Sequence, residues 1–180
     1  MKKILVVVDM QKDCVDGSLG TPEAQAIVPN VVNKIKEFEG DIFVTLDTHE
    51  EDYLHTPEGA KLPVRHCIRG SEGWKLDKNV AEVLEDREYE KVYKETFGSV
   101  FLPDLIYENM RKNEDPNELY HIELIGLCTD ICVVSNALLL KANYPEHKIS
   151  VDATCCAGVT PETHNHALSV MRMCQIDIIE

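Results

Sequence analysis

The sequence has no apolar run approaching the roughly 20 residues that a membrane-spanning helix requires. Its most apolar opening, Met1-Lys-Lys-Ile-Leu-Val-Val-Val-Asp9, is interrupted by Asp9 and followed by no small-residue cleavage site. Both absences argue against a membrane partner and predict that the opening is a strand of a cytoplasmic protein. Positive charge is scarce too: 18 Lys and Arg face 32 Asp and Glu, a formal net charge of -14. Such a surface repels a phosphate backbone, so nucleic acid is excluded as an expected partner. The seven cysteines form neither a disulfide ladder nor a paired CxxC zinc pattern, and most are expected to be reduced, small and buried. Internal repeats and low-complexity tracts are missing as well. One domain spanning residues 1–180 is expected.

What is present is an alternation of short Val- and Ile-rich runs with segments of helical period, the pattern of βαβ units. It predicts an α/β fold with a mostly parallel six-stranded sheet covered by helices on both faces. The expected strands are Lys3 to Val8, Asp41 to Leu46, Glu90 to Tyr93, His121 to Leu127, Lys148 to Ala153 and Gln175 to Ile179. Ile27, Val31, Val32, Ile35 and Phe38 share one face of a predicted helix, and Val133, Ala137 and Leu140 belong to another, largely apolar one. Thr160-Pro-Glu reads as a helix start, with Thr160 as cap, Pro161 at the first position and Glu162 near the positive dipole end. Arg111 to Asn117 is polar and predicted to be a surface loop.

Ligands of open parallel sheets bind beyond the carboxyl ends of the strands. Asp9, Asp47, Lys94 and the segment from Cys128 to Cys132 leave successive strands at that rim. In "GLCTDICVVSNA", Thr129 or Asp130 can cap the following helix, which places Cys132 in its first turn. There the exposed N–H groups and the dipole are expected to lower its pKa and make it a nucleophile. Cys128 sits in the turn itself, where its backbone N–H matters more than its sulfur. A nucleophilic thiol needs a proton acceptor; Asp9 can act as base and then acid, with Lys94 as the cation that favours thiolate. The bland alternative, two buried or redox cysteines, lacks the CxxC spacing of thiol oxidoreductases.

The long connection from Asp47 to Trp74 is a second constellation. Asp47 and His49 point the same way in an extended segment, and His66 returns after the loop. Carboxylate and imidazole ligands suit a divalent ion, zinc foremost and iron or manganese also. His55 and Glu58 lie between and remain open candidates for the third protein ligand. The remaining histidines, His121, His147, His164 and His166, have no comparable setting and read as structural.

The fragments "VVDMQKD", "LDTHEEDY", "LPVRHCIRGSEGW", "VYKETFGS" and "IGLCTDICV" occur in this order along nearly the whole chain. Taken together they resemble the isochorismatase-like cysteine hydrolases, the family that includes nicotinamidases. The resemblance implies a Rossmann-like three-layer sandwich and a catalytic triad of Asp9, Lys94 and Cys132. It further implies a cis peptide just before Cys128, with the N–H groups of Cys128 and Cys132 forming an oxyanion hole. The expected reaction is attack of the thiolate on a small carboxamide, loss of ammonia, and hydrolysis of the thioester. The metal set favours nicotinamide as the amide substrate, in NAD salvage, over isochorismate or carbamoyl compounds, and the family habit predicts a homo-oligomer. Cys14 stands where many nicotinamidases carry a Phe against the pyridine ring, and Phe101 is the expected aromatic wall in this pocket.

Two other classes compete. Phospho-Asp proteins also place an Asp after the first strand, but the phosphatases among them need a second Asp where Gln11 stands. A silent metal-binding scaffold would leave the triad residues without a role.

Overall fold

The computed structural model describes residues 1–113, 115 and 117–180. Glu114 and Pro116, within the predicted polar loop, lie outside the described residues.

The elements follow the chain as β1 (Lys2–Val8), α1 (Lys12–Val15), α2 (Pro22–Ala26), α3 (Val28–Glu37), β2 (Asp41–Asp47), α4 (Pro57–Lys61), α5 (Lys78–Leu84) and β3 (Glu90–Lys94). They continue as α6 (Leu102–Met110), β4 (Tyr120–Leu127), α7 (Val134–Asn143), β5 (Lys148–Ala157), α8 (Pro161–Met173) and β6 (Asp177–Ile179). The strands form one six-stranded sheet in the order β3-β2-β1-β4-β5-β6, with every pairing parallel. The chain runs outward from β1 through β2 to β3 on one side and from β4 through β5 to β6 on the other, so the β1/β4 boundary is the topological switch point, where ligands of such sheets bind.

Side chains that alternate along β1 and β4 feed two cores. Leu5, Val7, Ile125 and Leu127 pack with Val31 and Ile35 of α3 and Val80 and Leu84 of α5. Ile4, Val6, Val8, Ile122 and Leu124 pack on the other face with Ile106, Ala137, Leu140, Leu168 and Met171 from α6, α7 and α8. Burying each such side chain is worth about 1.5–3 kcal/mol, and truncating Leu124 to Ala would cost about 2–5 kcal/mol because the cavity cannot close fully. The sheet centre is buried on both faces, which is why its strands read as continuous apolar runs.

Four strand ends differ from the sequence expectation by one residue, and two by more. β5 runs to Ala157 rather than Ala153, because a register shift between Leu124 and Gly126 lets pairing resume at Cys156 and Ala157. β6 starts at Asp177 rather than Gln175, since Gln175 has φ of 63° and cannot continue a ladder. The predicted α8 start is as expected, with Thr160 accepting the Thr163 N–H in a capping box and Pro161 at the first position. The 47–74 connection is ordered by one 3₁₀ turn at Tyr53–His55 and by α4, capped by Thr56.

Candidate active site

Where β1 ends, Asp9 adopts φ of 47°, a left-handed conformation uncommon for non-glycine residues. Its N–H bonds Thr45 O at 3.2 Å, and Thr45 Oγ1 donates to its Oδ1 at 2.6 Å. On the opposite side β4 comes so close that a Cβ on Gly126, φ 115°, would overlap the Val8 carbonyl oxygen. These contacts turn the Asp9 carboxylate over the sheet edge rather than away from it.

Lys94, at the end of β3, is fully buried, and its Nζ lies 2.7 Å from Asp9 Oδ2, 3.2 Å from Asp47 Oδ1 and 3.4 Å from Cys132 Sγ. Three of the sequence's rim residues therefore meet around one ammonium. Burial disfavours its charge, but Asp9, Cys132 and Asp47 together push its pKa up, so it remains a cation. Burial raises the Asp9 pKa against the pull of Lys94.

Cys132 departs from the expected lowered pKa. Burial pushes its thiol up, the Asp9 carboxylate pushes the same way, and Lys94 opposes them. The helix-start argument underestimates these costs because residues Thr129–Val133 form a π-type turn, with the N–H groups of Ile131 and Val133 both spent on Cys128 O. Lys94 lies within reach of both the Cys132 thiol and the Asp9 carboxyl, at 3.4 and 2.7 Å. The peptide bond between Leu127 and Cys128 is cis, as the resemblance implied.

The loop residues gather in a second cluster that shares Asp47 with the first. One donor atom each from Asp47, His49 and His66 lie within 4.8 Å of one another, all three residues buried. His49 Nε2 is 3.0 Å and His66 Nε2 3.5 Å from Asp47 Oδ2. His66 Nδ1 donates to Val64 O at 2.8 Å, which leaves Nε2 free to ligate, the outer-sphere bond typical of metal-binding histidines. Glu58 Oε1 approaches the same point, 3.6 Å from His49 Nε2 and 3.8 Å from His66 Nε2. Burial acts to raise the Asp47 pKa, but His49, His66 and Lys94 outweigh it and hold the carboxyl well below its usual range. A buried carboxylate with two imidazoles fits zinc, with room for a further ligand. Of the open alternatives, Glu58 faces the cluster whereas His55 is exposed on the 3₁₀ turn and outside it, because that turn points its side chain to solvent.

Several residues that shape the site carry no chemistry readable in advance. Gln11 is fully buried and binds the Asp47 main chain at both ends, Nε2 to O and Oε1 to N–H, each 2.8 Å. Asp13 Oδ2 accepts the Cys67 N–H at 2.8 Å and so anchors the residue after His66. Tyr53 packs its ring against both imidazoles, at centroid distances of 4.6 and 4.9 Å. The fragment "VVDMQKD" holds the signal for Gln11 and Asp13, since polar residues beside a buried strand end must find partners.

Cys14 is buried in the core beneath these clusters, with Sγ 3.8 Å from Cys67 Sγ. Phe101, expected as an aromatic wall, instead caps α6 from an exposed position, 62% accessible. Phe97 lines the apolar hollow beside Glu58, with Leu62, Thr96 and Ile131, since the chain turns at Gly98 before Phe101 is reached.

The sequence matches the family profile described as Isochorismatase domain over residues 3–180. A relative from Bacillus subtilis (strain 168), described as an uncharacterized isochorismatase family protein PncA, is 32% identical over 178 residues, covering 94% of this chain and 93% of its own. Among solved structures, nicotinamidase/pyrazinamidase PncA from Bacillus subtilis superposes with a TM-score of 0.84 at 24% identity, covering 100% of both chains. The pyrazinamidase of Pyrococcus horikoshii in complex with zinc gives 0.79 at 23% identity, covering 100% of this chain and 99% of that one. With a profile match over nearly its whole length and a relative at 32% identity, the chain belongs to the isochorismatase family.

Proposed function

We propose that this protein is a metal-dependent cysteine amidohydrolase of the nicotinamidase type, converting nicotinamide and water to nicotinate and ammonia. The observation that carries the reading is the placement of Asp9, Lys94 and Cys132 around one buried ammonium, beside an Asp47-His49-His66 cluster. The names of the relatives support the substrate: the Bacillus subtilis structure is a nicotinamidase/pyrazinamidase, and the Pyrococcus horikoshii pyrazinamidase binds zinc.

In this reading Asp9 takes the Cys132 thiol proton as sulfur attacks the carboxamide carbon, and Lys94 balances the negative charge passing between carboxylate and sulfur. The N–H groups of Cys128 and Cys132 bind the developing oxyanion. Asp9 then returns the proton to the leaving nitrogen, ammonia departs, and a thioester remains on Cys132. Asp9 next deprotonates a water that attacks the thioester, which releases the acid and restores the thiol. Asp47, His49 and His66, joined by Glu58, would hold zinc, which when bound supplies a Lewis-acidic anchor for a ring nitrogen. Leu62, Phe97 and Ile131 supply apolar surface for the ring.

The proposal extends to a single domain over residues 1–180 in the cytoplasm, serving NAD salvage as a homo-oligomer. Seven cysteines without a disulfide agree with a reducing compartment, and no described helix is long and apolar enough to cross a membrane. The test is acid quenching during turnover, followed by peptide mass spectrometry: a nicotinoyl adduct is expected on Cys132. Turnover with no acyl group on that residue, under quench conditions that preserve thioesters, contradicts the mechanism.

A further inference from the structure

Asn136, the third residue of α7, is fully buried and uses its amide on two separate segments. Its Nδ2 donates to Cys132 O at 2.8 Å and to Phe97 O at 3.3 Å, and its Oδ1 accepts the Ser99 N–H at 2.9 Å. Two carbonyls on one side and an N–H on the other determine which end of the amide is which. One bonded segment carries Cys132. The other begins three residues beyond Lys94.

The 97–99 segment is pressed directly onto α7: a Cβ on Gly98 would lie 2.5 Å from Leu139 Cδ1 and 3.2 Å from the Ser135 backbone. Ser99 also accepts the Leu102 N–H through Oγ at 3.2 Å, at the start of α6. Beside Asn136, Ser135 Oγ donates to Ile131 O at 2.6 Å, so the carbonyls of both residues at the nucleophile are held from α7.

We propose that Asn136 is a positioning residue that sets the 3.4 Å separation of Lys94 Nζ and Cys132 Sγ by binding the main chain on both sides of it. It touches neither substrate nor the reacting atoms. A Cys132 turn free to shift against the β3 end would separate thiol from ammonium, and misplacement of about 1 Å at such a pair can cost about 10²-fold in rate. The role rests on the triad reading above.

The test compares Asn136→Ala, Asn136→Thr and Leu140→Ala with the parent enzyme. Leu140 is a buried core residue of α7 without a polar link to the site, so its truncation reports loss of stability alone. Three quantities are read: Tm, kcat and KM for nicotinamide, and the rate at which iodoacetamide alkylates Cys132, quantified by peptide mass spectrometry. For Asn136→Ala, kcat and the alkylation rate are expected to fall together by about tenfold or more with KM nearly unchanged. Threonine can return a hydroxyl bond to the carbonyl four residues back, so Asn136→Thr should recover part of both rates. Leu140→Ala should lower Tm while leaving both rates close to the parent.

Unchanged rates in Asn136→Ala, or an equal fall in Leu140→Ala at a matched loss of Tm, would overturn the proposal. A parent enzyme that does not hydrolyse nicotinamide would instead count against the substrate assignment, and alkylation of Cys132 would still decide the role of Asn136.

Discussion

Gln11 holds Asp47 by its backbone: the side-chain amide of one spans the C=O and the N–H of the other, both at 2.8 Å. This fixes the end of β2 against the end of β1. It also aims the carboxylate, with Oδ1 toward Lys94 and Oδ2 toward His49 and His66.

Gln11→Met keeps the length of the side chain and removes both bonds to Asp47, together with the one Nε2 gives Trp74 O. Metal affinity is expected to fall about 10–100-fold, the usual effect of losing an outer-sphere support, with the protein still folded. A chelator competition titration reads it, and unchanged affinity would show that the sheet alone positions Asp47.

His49→Ala and His66→Ala should each deplete bound metal and raise KM for nicotinamide, whereas His55→Ala should leave metal content at the parent level, because its side chain is exposed outside the cluster. Elemental analysis of the purified variants checks this. Loss of metal in the His55 variant would place that residue among the ligands.

Asp9→Asn preserves shape and removes the carboxylate proposed to accept the Cys132 proton. Turnover should fall by about 10²–10⁴-fold, the range for loss of a general acid–base group, and single-turnover experiments should place the loss in thioester formation. An undiminished acylation rate would assign the proton transfer to another group.

Away from the site, Lys34 Nζ lies 2.7 Å from both Glu123 Oε1 and Asp152 Oδ2 on nearly buried carboxylates. Burial acts to raise the Asp152 pKa, but hydrogen bonds from Lys34 and Thr154 outweigh it and lower it below 3.8. A lowered folded-state pKa stabilises the protein above the unfolded value, and that contribution disappears as pH falls through the folded value. Lys34→Met should therefore cost about 2 kcal/mol near pH 7, a partly exposed lysine being worth less than the roughly 3–5 kcal/mol of a fully buried pair. The deficit should shrink as pH falls below about 4 and Asp152 protonates. Denaturant titrations of both proteins across pH measure it, and a deficit independent of pH would contradict the assignment.

The strand ends were legible because a parallel sheet buried on both faces leaves polar residues only where strands emerge, and Asp9, Asp47 and Lys94 stand at those points. Asp-x-His with a returning histidine was legible for the same local reason. Other residues that support them were not: Thr45 and Asn136 bind main-chain atoms, and sequence spacing does not record which main-chain group a folded loop will offer. Phe97 and Phe101 lie on one short segment, and only the turn at Gly98 decides which of them faces the hollow. The direction of the Cys132 pKa depends on desolvation and on Asp9 as much as on its place in a turn, and desolvation is a property of the packed molecule.

The most direct measurement is ammonia release from nicotinamide by the purified protein, in metal-depleted and zinc-restored samples, alongside Cys132→Ala. The account predicts turnover that requires both metal and thiol, with the Cys132→Ala protein folded and loaded with metal but inactive. Turnover by Cys132→Ala at a rate near the parent's, or none by the zinc-restored parent, would contradict it.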